Sequence, residues 1–254
     1  MKAVILAGGK GTRISEESKL KPKPMVEIGQ KPILWHIMKH YEKYGITDFV
    51  ICCGYKSRVI KEYFLNYYVH NNDMIFHLGK NHNLSQNNHG ECWKVTLIET
   101  GMETLTAGRL LKVKEYLEGE TFMLTYGDGV SDIDLNKLLM FHKEQNRIVT
   151  ISTIQPEGRF GALKLDSYNH VRGFKEKARE DQSWVNMGFM VMQPEVFEYL
   201  GNGDCMLETA PFEKLVADEQ MAAYRHNGFW SPMDNIHDRD YLESLWRNGN
   251  APWK

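Results

Sequence analysis

The sequence predicts an α/β fold in which a mixed, mostly parallel central sheet is flanked by helices, and three observations carry that expectation. First, Lys2-Ala3-Val4-Ile5-Leu6 is an apolar run of strand length that passes directly into Ala7-Gly8-Gly9-Lys10-Gly11. A strand emptying into a glycine turn is how open α/β sheets present their carboxyl edge to a ligand. Second, as far as Ile154, strand-like runs alternate with segments whose apolar residues recur at helical spacing, the pattern of parallel strands joined by right-handed helical crossovers. Third, beyond Gln155 the apolar residues alternate with period two between turns, which adds strands of the other direction. The whole reads as Rossmann-like.

The elements follow in order. Residues 31–41 place apolar side chains at 33, 34, 37, 38 and 41, with Pro32 at a first-turn position and Gly45 as a stop, which predicts a helix packed by one face. Asp48 to Cys52 reads as a buried strand, and Val59, Ile60, Tyr63, Phe64 and Tyr67 mark the next helix. From Asn71 to Glu91 the periodicity dissolves into a polar, asparagine-rich excursion, long enough to be functional or mobile. Val95 to Ile98 resumes a strand, Leu110 to Tyr116 a helix, and Thr121 to Thr125 a buried strand ending in Tyr126-Gly127-Asp128-Gly129. Leu135 to Phe141 has helical spacing, and Ile148 to Ile154 is a further strand. Phe160 to Leu165, His170 to Phe174 and Val185 to Met192 supply the later strands; Pro194 to Leu200, Pro211 to Asp218 and Ile236 to Trp246 are amphipathic helices. Neither a repeat nor a linker divides residues 1–254, so one domain is expected.

Composition removes several function classes. Lys and Arg total 31 against 33 Asp and Glu, a net charge of −2, so no basic field invites nucleic acid and no polybasic run invites a membrane surface. Mean hydropathy is −0.47, and no apolar stretch reaches the roughly 18 residues a spanning helix needs. The first residues lack the basic start and small-residue cleavage site of a secretory signal, so a cytoplasmic location is expected. Cys52, Cys53, Cys92 and Cys205 show no C-x-x-C spacing, and Cys52 and Cys53 close an apolar strand as small hydrophobes. His77, His82 and His89 lack the i, i+4 pairing of a zinc helix and read as ordinary histidines.

The glycine loop is the centre of the chemistry. Glycines at 8, 9 and 11 let backbone N–H groups approach an anion, and Arg13 and Lys23 add charge for phosphates. Other glycine loops fit less well. There is no G-x-x-x-x-G-K-[ST], and the dinucleotide fingerprint fails at Ile14, where a third glycine is required. A nucleoside triphosphate is therefore the expected ligand. The prolines beside Lys23 fix its backbone and aim one side chain, against the alternative of a solvated basic loop with Lys19, Lys21 and Lys31. Asp128, at a strand end, suits a hard cation or else bonds its own backbone in a turn.

Lys21-Pro22-Lys23-Pro24-Met25-Val26-Glu27-Ile28-Gly29, Cys52-Cys53-Gly54-Tyr55-Lys56, Tyr126 to Val130, Arg159 to Leu163, and Phe229-Trp230-x-Pro232-Met233-Asp234 together resemble the glucose-1-phosphate cytidylyltransferase family of sugar nucleotidyltransferases, over nearly the whole chain. The resemblance implies a nucleotide-diphospho-sugar transferase fold, in which residues 1–154 mainly bind nucleotide and 155–254 mainly bind the acceptor. It implies CTP and α-D-glucose 1-phosphate as substrates, CDP-glucose and pyrophosphate as products, and a homo-oligomer. By the same likeness, Leu6, Ala7, Gly8, Gly9, Gly11, Thr12, Arg13, Lys23, Thr106, Gly108 and Arg109 would bind the nucleotide, with Arg13, Lys23 and Asp128 catalytic. Asp128 and Asp234 would hold Mg²⁺, while Gly161, Glu176, Lys177, Asn186 and Trp230 would bind the acceptor. Departures fall in Thr106-Ala107-Gly108-Arg109, where one family glycine is replaced, at Ala178-Arg179 after Lys177, where proline is usual, and at Met187, where glycine is common. They leave open a different phosphorylated small-molecule acceptor or another triphosphate. A binding module with lost chemistry would have no reason to retain both carboxylates and both phosphate lysines.

Overall fold

The computed structural model describes residues 1–11, 21–73, 90–156, 162–165, 171–175 and 183–254, the short stretches 162–165 and 171–175 by backbone alone. Its main sheet has seven strands: β1 (Lys2–Leu6), β4 (Asp48–Cys53), β5 (Lys94–Glu99), β6 (Phe122–Tyr126), β8 (Val149–Ile154), β11 (Val185–Met192) and β12 (Met221–Arg225). They are ordered β12-β8-β11-β6-β1-β4-β5. β1 runs parallel to β4 and β6, β4 to β5, and β12 to β8, while β11 is antiparallel to both β6 and β8. The expected mixed, mostly parallel sheet is present. Outside it, β9 (Ala162–Leu165) and β10 (Val171–Lys175) pair as a separate antiparallel hairpin, β2 (Glu27–Ile28) pairs with β3 (Lys31–Pro32), and β7 (Gly129–Ser131) pairs with β13 (Trp230–Pro232).

Every residue of β1 is buried, because helices cover both faces of a parallel sheet and its strands become continuous apolar runs. Alternate residues feed two cores. Ala3 and Ile5 join Phe49, Ile51, Met123 and Phe189 beneath helix α1 (Ile33–Glu42), while Val4 and Leu6 join Val50, Cys52, Leu124 and Met190 on the other side. Cys52 and Cys53 are buried, and burial pushes both thiols up to about 12, which makes them inert packing residues as expected.

Three elements differ from the sequence reading. The helix expected at Leu110 begins at Thr106 and ends at Lys112, with a 3-10 turn over Lys114–Leu117. Gly108 is a poor helix interior residue, but a Cβ there would lie 2.8 Å from the Gly203 carbonyl oxygen, so packing requires glycine and overrides propensity. The helix expected through Tyr67 is two pieces, Ser57–Leu65 and Tyr67–Asn71, broken at Asn66, whose amide donates to the Glu62 carbonyl at 2.9 Å. Pro194–Tyr199 is a 3-10 helix rather than an α-helix. Among the described residues no helix is long and apolar enough to cross a membrane.

Candidate active site

The carboxyl ends of β1 and β6 and the segment that follows β5 meet at a cavity of about 450 Å³. The chain closes on itself there: Gly127 N donates to Leu6 O at 3.0 Å, Ala7 N to Cys52 O at 3.1 Å, and Tyr55 N to Gly8 O at 3.1 Å. Leu6, Ala7, Gly8, Gly9 and Gly11 line one wall, and Thr104, Leu105, Thr106 and Arg109 line another. Lys23, Pro24, Tyr126, Gly127, Asp128, Met206 and Asp234 complete it.

Arg109 explains why this cavity tolerates no side chain at Gly8. Its buried guanidinium donates to Gly8 O at 2.9 Å, Gly101 O at 2.9 Å and Thr100 Oγ1 at 2.6 Å, joining the loops that follow β1 and β5. A Cβ on Gly8 would fall 1.9 Å from Arg109 Nη1, and one on Gly54 would fall 2.4 Å from it. Burial holds its pKa below the usual arginine value. Arg109 faces the cavity, yet these donors bind backbone and hydroxyl oxygens of the walls.

Lys23 opens the 3-10 turn Lys23–Met25, whose backbone is set by Pro22 in an extended conformation and by Met25 N donating to Pro22 O at 2.8 Å. Its Nζ donates to Asp128 Oδ2 at 2.6 Å and to Asp234 Oδ1 at 2.7 Å. Burial alone would lower the ammonium's pKa, but the charges and hydrogen bonds of Asp128 and Asp234 outweigh it, and the pKa is raised. The carboxylates arrive from distant parts of the chain on a ribbon formed by β7 (Gly129–Ser131) and β13 (Trp230–Pro232). Met233 N donates to Asp128 O at 2.8 Å, closing its near end. Beyond it, Asp234 N donates to Asp238 Oδ2 at 2.8 Å, and Asn235 and Asp238 form a capping box that starts the helix Ile236–Arg247.

The donor set fits Mg²⁺. Two carboxylates already share one cation, the Lys23 ammonium, at a partly exposed position. Among the described residues no three His, Cys, Asp or Glu side chains gather as a metal cage, so phosphate and water would supply the remaining ligands, as Mg²⁺ prefers.

Of the other residues anticipated from sequence, Thr106 Oγ1 accepts from Leu207 N at 2.7 Å and donates to Glu208 Oε2 at 3.2 Å. Gly108 faces Gly203 and does not line the cavity. Asn186 lies on β11, where its Oδ1 accepts from Gly188 N at 2.8 Å, and Trp230 stands on the ribbon with an indole Nε1 that is buried and unpartnered among the described residues. Neither lines the cavity. Thr12, Arg13, Gly161, Glu176 and Lys177 lie outside the described residues. Sequence reasoning missed Thr104, Leu105, Met206 and the Tyr126–Glu208 hydrogen bond. Only Tyr126 had a signal, its place before Gly127-Asp128. Its ring leaves no room for a side chain at Gly188, where φ is +86°.

The nucleotidyl transferase family model matches residues 2–238. Across 100% of the chain and 99% of the relative, the sequence is 50% identical to the glucose-1-phosphate cytidylyltransferase of Salmonella typhi. With the same coverage it is 43% identical to the probable glucose-1-phosphate cytidylyltransferase of Bacillus subtilis. Among solved structures, HddC from Yersinia pseudotuberculosis superposes with a TM-score of 0.70 at 21% identity, covering 96% of this chain and 99% of that one. That likeness concerns the fold.

Proposed function

The chain belongs to the nucleotidyl transferase family, and within it we propose a Mg²⁺-dependent cytidylyltransferase that joins CTP to α-D-glucose 1-phosphate, releasing pyrophosphate and CDP-glucose. The observation that carries this reading is the Lys23 ammonium between Asp128 and Asp234 on the floor of a glycine-walled cavity. The choice of base and sugar draws on the full-length identity to the cytidylyltransferases.

In the reaction a phosphate oxygen of the acceptor attacks the α-phosphorus, and pyrophosphate leaves in line. The attacking oxygen is already anionic near neutral pH, so a general base is not needed. The barrier is repulsion between two polyanions, and the protein's task is to position them and neutralise charge. The glycine loop offers backbone N–H groups to the triphosphate, and Lys23 serves the α-phosphate. Asp128 and Asp234 would hold Mg²⁺, which when bound offsets negative charge on the phosphates. Arg13 and Thr12 are assigned to the triphosphate, and Gly161, Glu176, Lys177, Asn186 and Trp230 to the acceptor. Met187, where glycine is common, is buried in the core with Phe189 and Val191. That departure gives no reason to change the acceptor. The reading includes a homo-oligomeric, cytoplasmic enzyme; light scattering of the full chain checks the assembly.

A pyrophosphate-release screen tests the reading, with each of the common nucleoside triphosphates against a panel of phosphorylated acceptors. CTP with glucose 1-phosphate should give the highest turnover. Turnover with other triphosphates and none with CTP would overturn the base assignment; CTP turnover confined to a non-sugar phosphate would overturn the acceptor.

A further inference from the structure

Of the two carboxylates on Lys23, Asp128 follows main-sheet strand β6 by two residues, whereas Asp234 reaches the lysine only by way of the ribbon. Both flank the β7–β13 ribbon, whose register, Trp230 with Ser131, Ser231 with Val130 and Pro232 with Gly129, decides how they face each other. So short a ribbon is marginal by itself, and Pro232 brings no N–H to its ladder. A slip of one residue would carry Asp234 along the strand by about 3.4 Å and turn alternate side chains to the opposite face. Something must fix the register.

The far end carries a clasp. Asp132 Oδ1 accepts from Phe229 N at 2.7 Å and meets His226 Nε2 at 2.9 Å, while Ser131 Oγ donates to Phe229 O at 2.7 Å. His226 is in turn fixed to the main sheet, since its backbone N donates to Thr153 O at 2.8 Å. The loop between them is drawn tight, for a Cβ on Gly228 would lie 2.4 Å from Asp132 Oδ1. One carboxylate oxygen thus ties the ribbon to the sheet at the end away from Lys23.

We propose that Asp132 and His226 are positioning residues that lock the ribbon's register, so that Asp128 and Asp234 converge on a single cation. The inference rests on the metal role given to those carboxylates under the proposed function. Asp132 reaches them through the ribbon backbone.

Mn²⁺ binding to the full chain in the presence of CTP, followed by electron paramagnetic resonance, tests this without relying on turnover. Asp132→Ala should weaken Mn²⁺ binding at least fivefold while circular dichroism stays that of the wild type. Asp132→Asn keeps an acceptor oxygen in place and should bind within twofold of wild type. His226→Ala, which leaves Phe229 N on the carboxylate, should weaken binding about twofold to fivefold, and decides the matter if Asp132→Ala does not fold. Wild-type binding by the folded Asp132→Ala or by His226→Ala, alongside a loss in Asp128→Asn, would overturn the positioning role and leave the metal reading intact. A loss in Asp132→Asn as deep as in Asp132→Ala would overturn it too, because charge rather than register would be the cause. If Asp128→Asn itself binds like wild type, the metal reading fails and takes this inference with it.

Discussion

Replacing Lys23 with alanine removes the cation that two carboxylates share, and its cost can be worked from the geometry. Both bonded oxygens touch one nitrogen, at 2.6 and 2.7 Å. Two negative charges about 5 Å apart repel by roughly 3 kcal/mol at an effective dielectric near 20. The Asp128 and Asp234 side chains are 33% and 29% exposed, so water and salt screen that repulsion to about 1–2 kcal/mol. For a chain of this size that is a fall in Tm of roughly 2–8 °C. In Lys23→Ala, Mg²⁺ meets two carboxylates with no ammonium between them. Millimolar Mg²⁺ should therefore raise the variant's Tm more than the wild type's. Thermal unfolding in EDTA and in Mg²⁺, with ionic strength matched by NaCl, measures both effects. Equal Tm values in EDTA, with no larger response to Mg²⁺ in the variant, would refute the shared-cation account. In turnover assays the same variant should lose kcat more than CTP affinity, since charge at the α-phosphorus grows as pyrophosphate departs.

Gly8→Ala should cost at least tenfold in kcat/KM, because its methyl would occupy the place of Arg109 Nη1 and push the guanidinium off the Gly8 and Gly101 carbonyls; unchanged kinetics would show that the clamp is dispensable. Burial pulls His36 and His40 down to about 4 from an ordinary value near 6.5, so both stay neutral in the fold but take up protons when unfolded. Their contribution is complete above pH 6.5 and is lost as pH falls toward about 4, by up to about 3 kcal/mol each, so urea midpoints should drop across that window. A flat profile would contradict it. Lys177→Ala should raise the KM for the sugar phosphate with little effect on that for CTP, and the reverse pattern would move Lys177 to the nucleotide.

The legible parts of the molecule were local ones. β1 and its glycine turn could be read because burial on both faces leaves an unbroken apolar run, and Lys23 stood out because prolines on both sides leave its backbone few choices. Asp128 was visible as a carboxylate at the end of a buried strand. Asp234 was not: its place depends on a short ribbon whose partner strand lies far away in sequence, and only family resemblance pointed to it. The helix start at Thr106 was hidden because Gly108 argues locally against a helix, and the contact with Gly203 that reverses the argument is long-range. Met206 and Glu208 lie in a turn-rich segment without periodicity, so nothing in their neighbours announced that one lines the cavity and the other holds Tyr126.

Lys23 bonds to partners 105 and 211 positions further along the chain. During synthesis the amino-terminal segments emerge first and begin to fold while the remainder is still being made. A nascent chain that has reached β11 can form the glycine loop, Arg109's clamp and Asp128, but its lysine has one carboxylate instead of two. The acid pair is completed only after the ribbon's second strand emerges and docks. A ribosome-stalled fragment ending before Trp230 would therefore present phosphate-binding backbone without the completed carboxylate pair, and translation itself would set the moment at which the chain becomes competent.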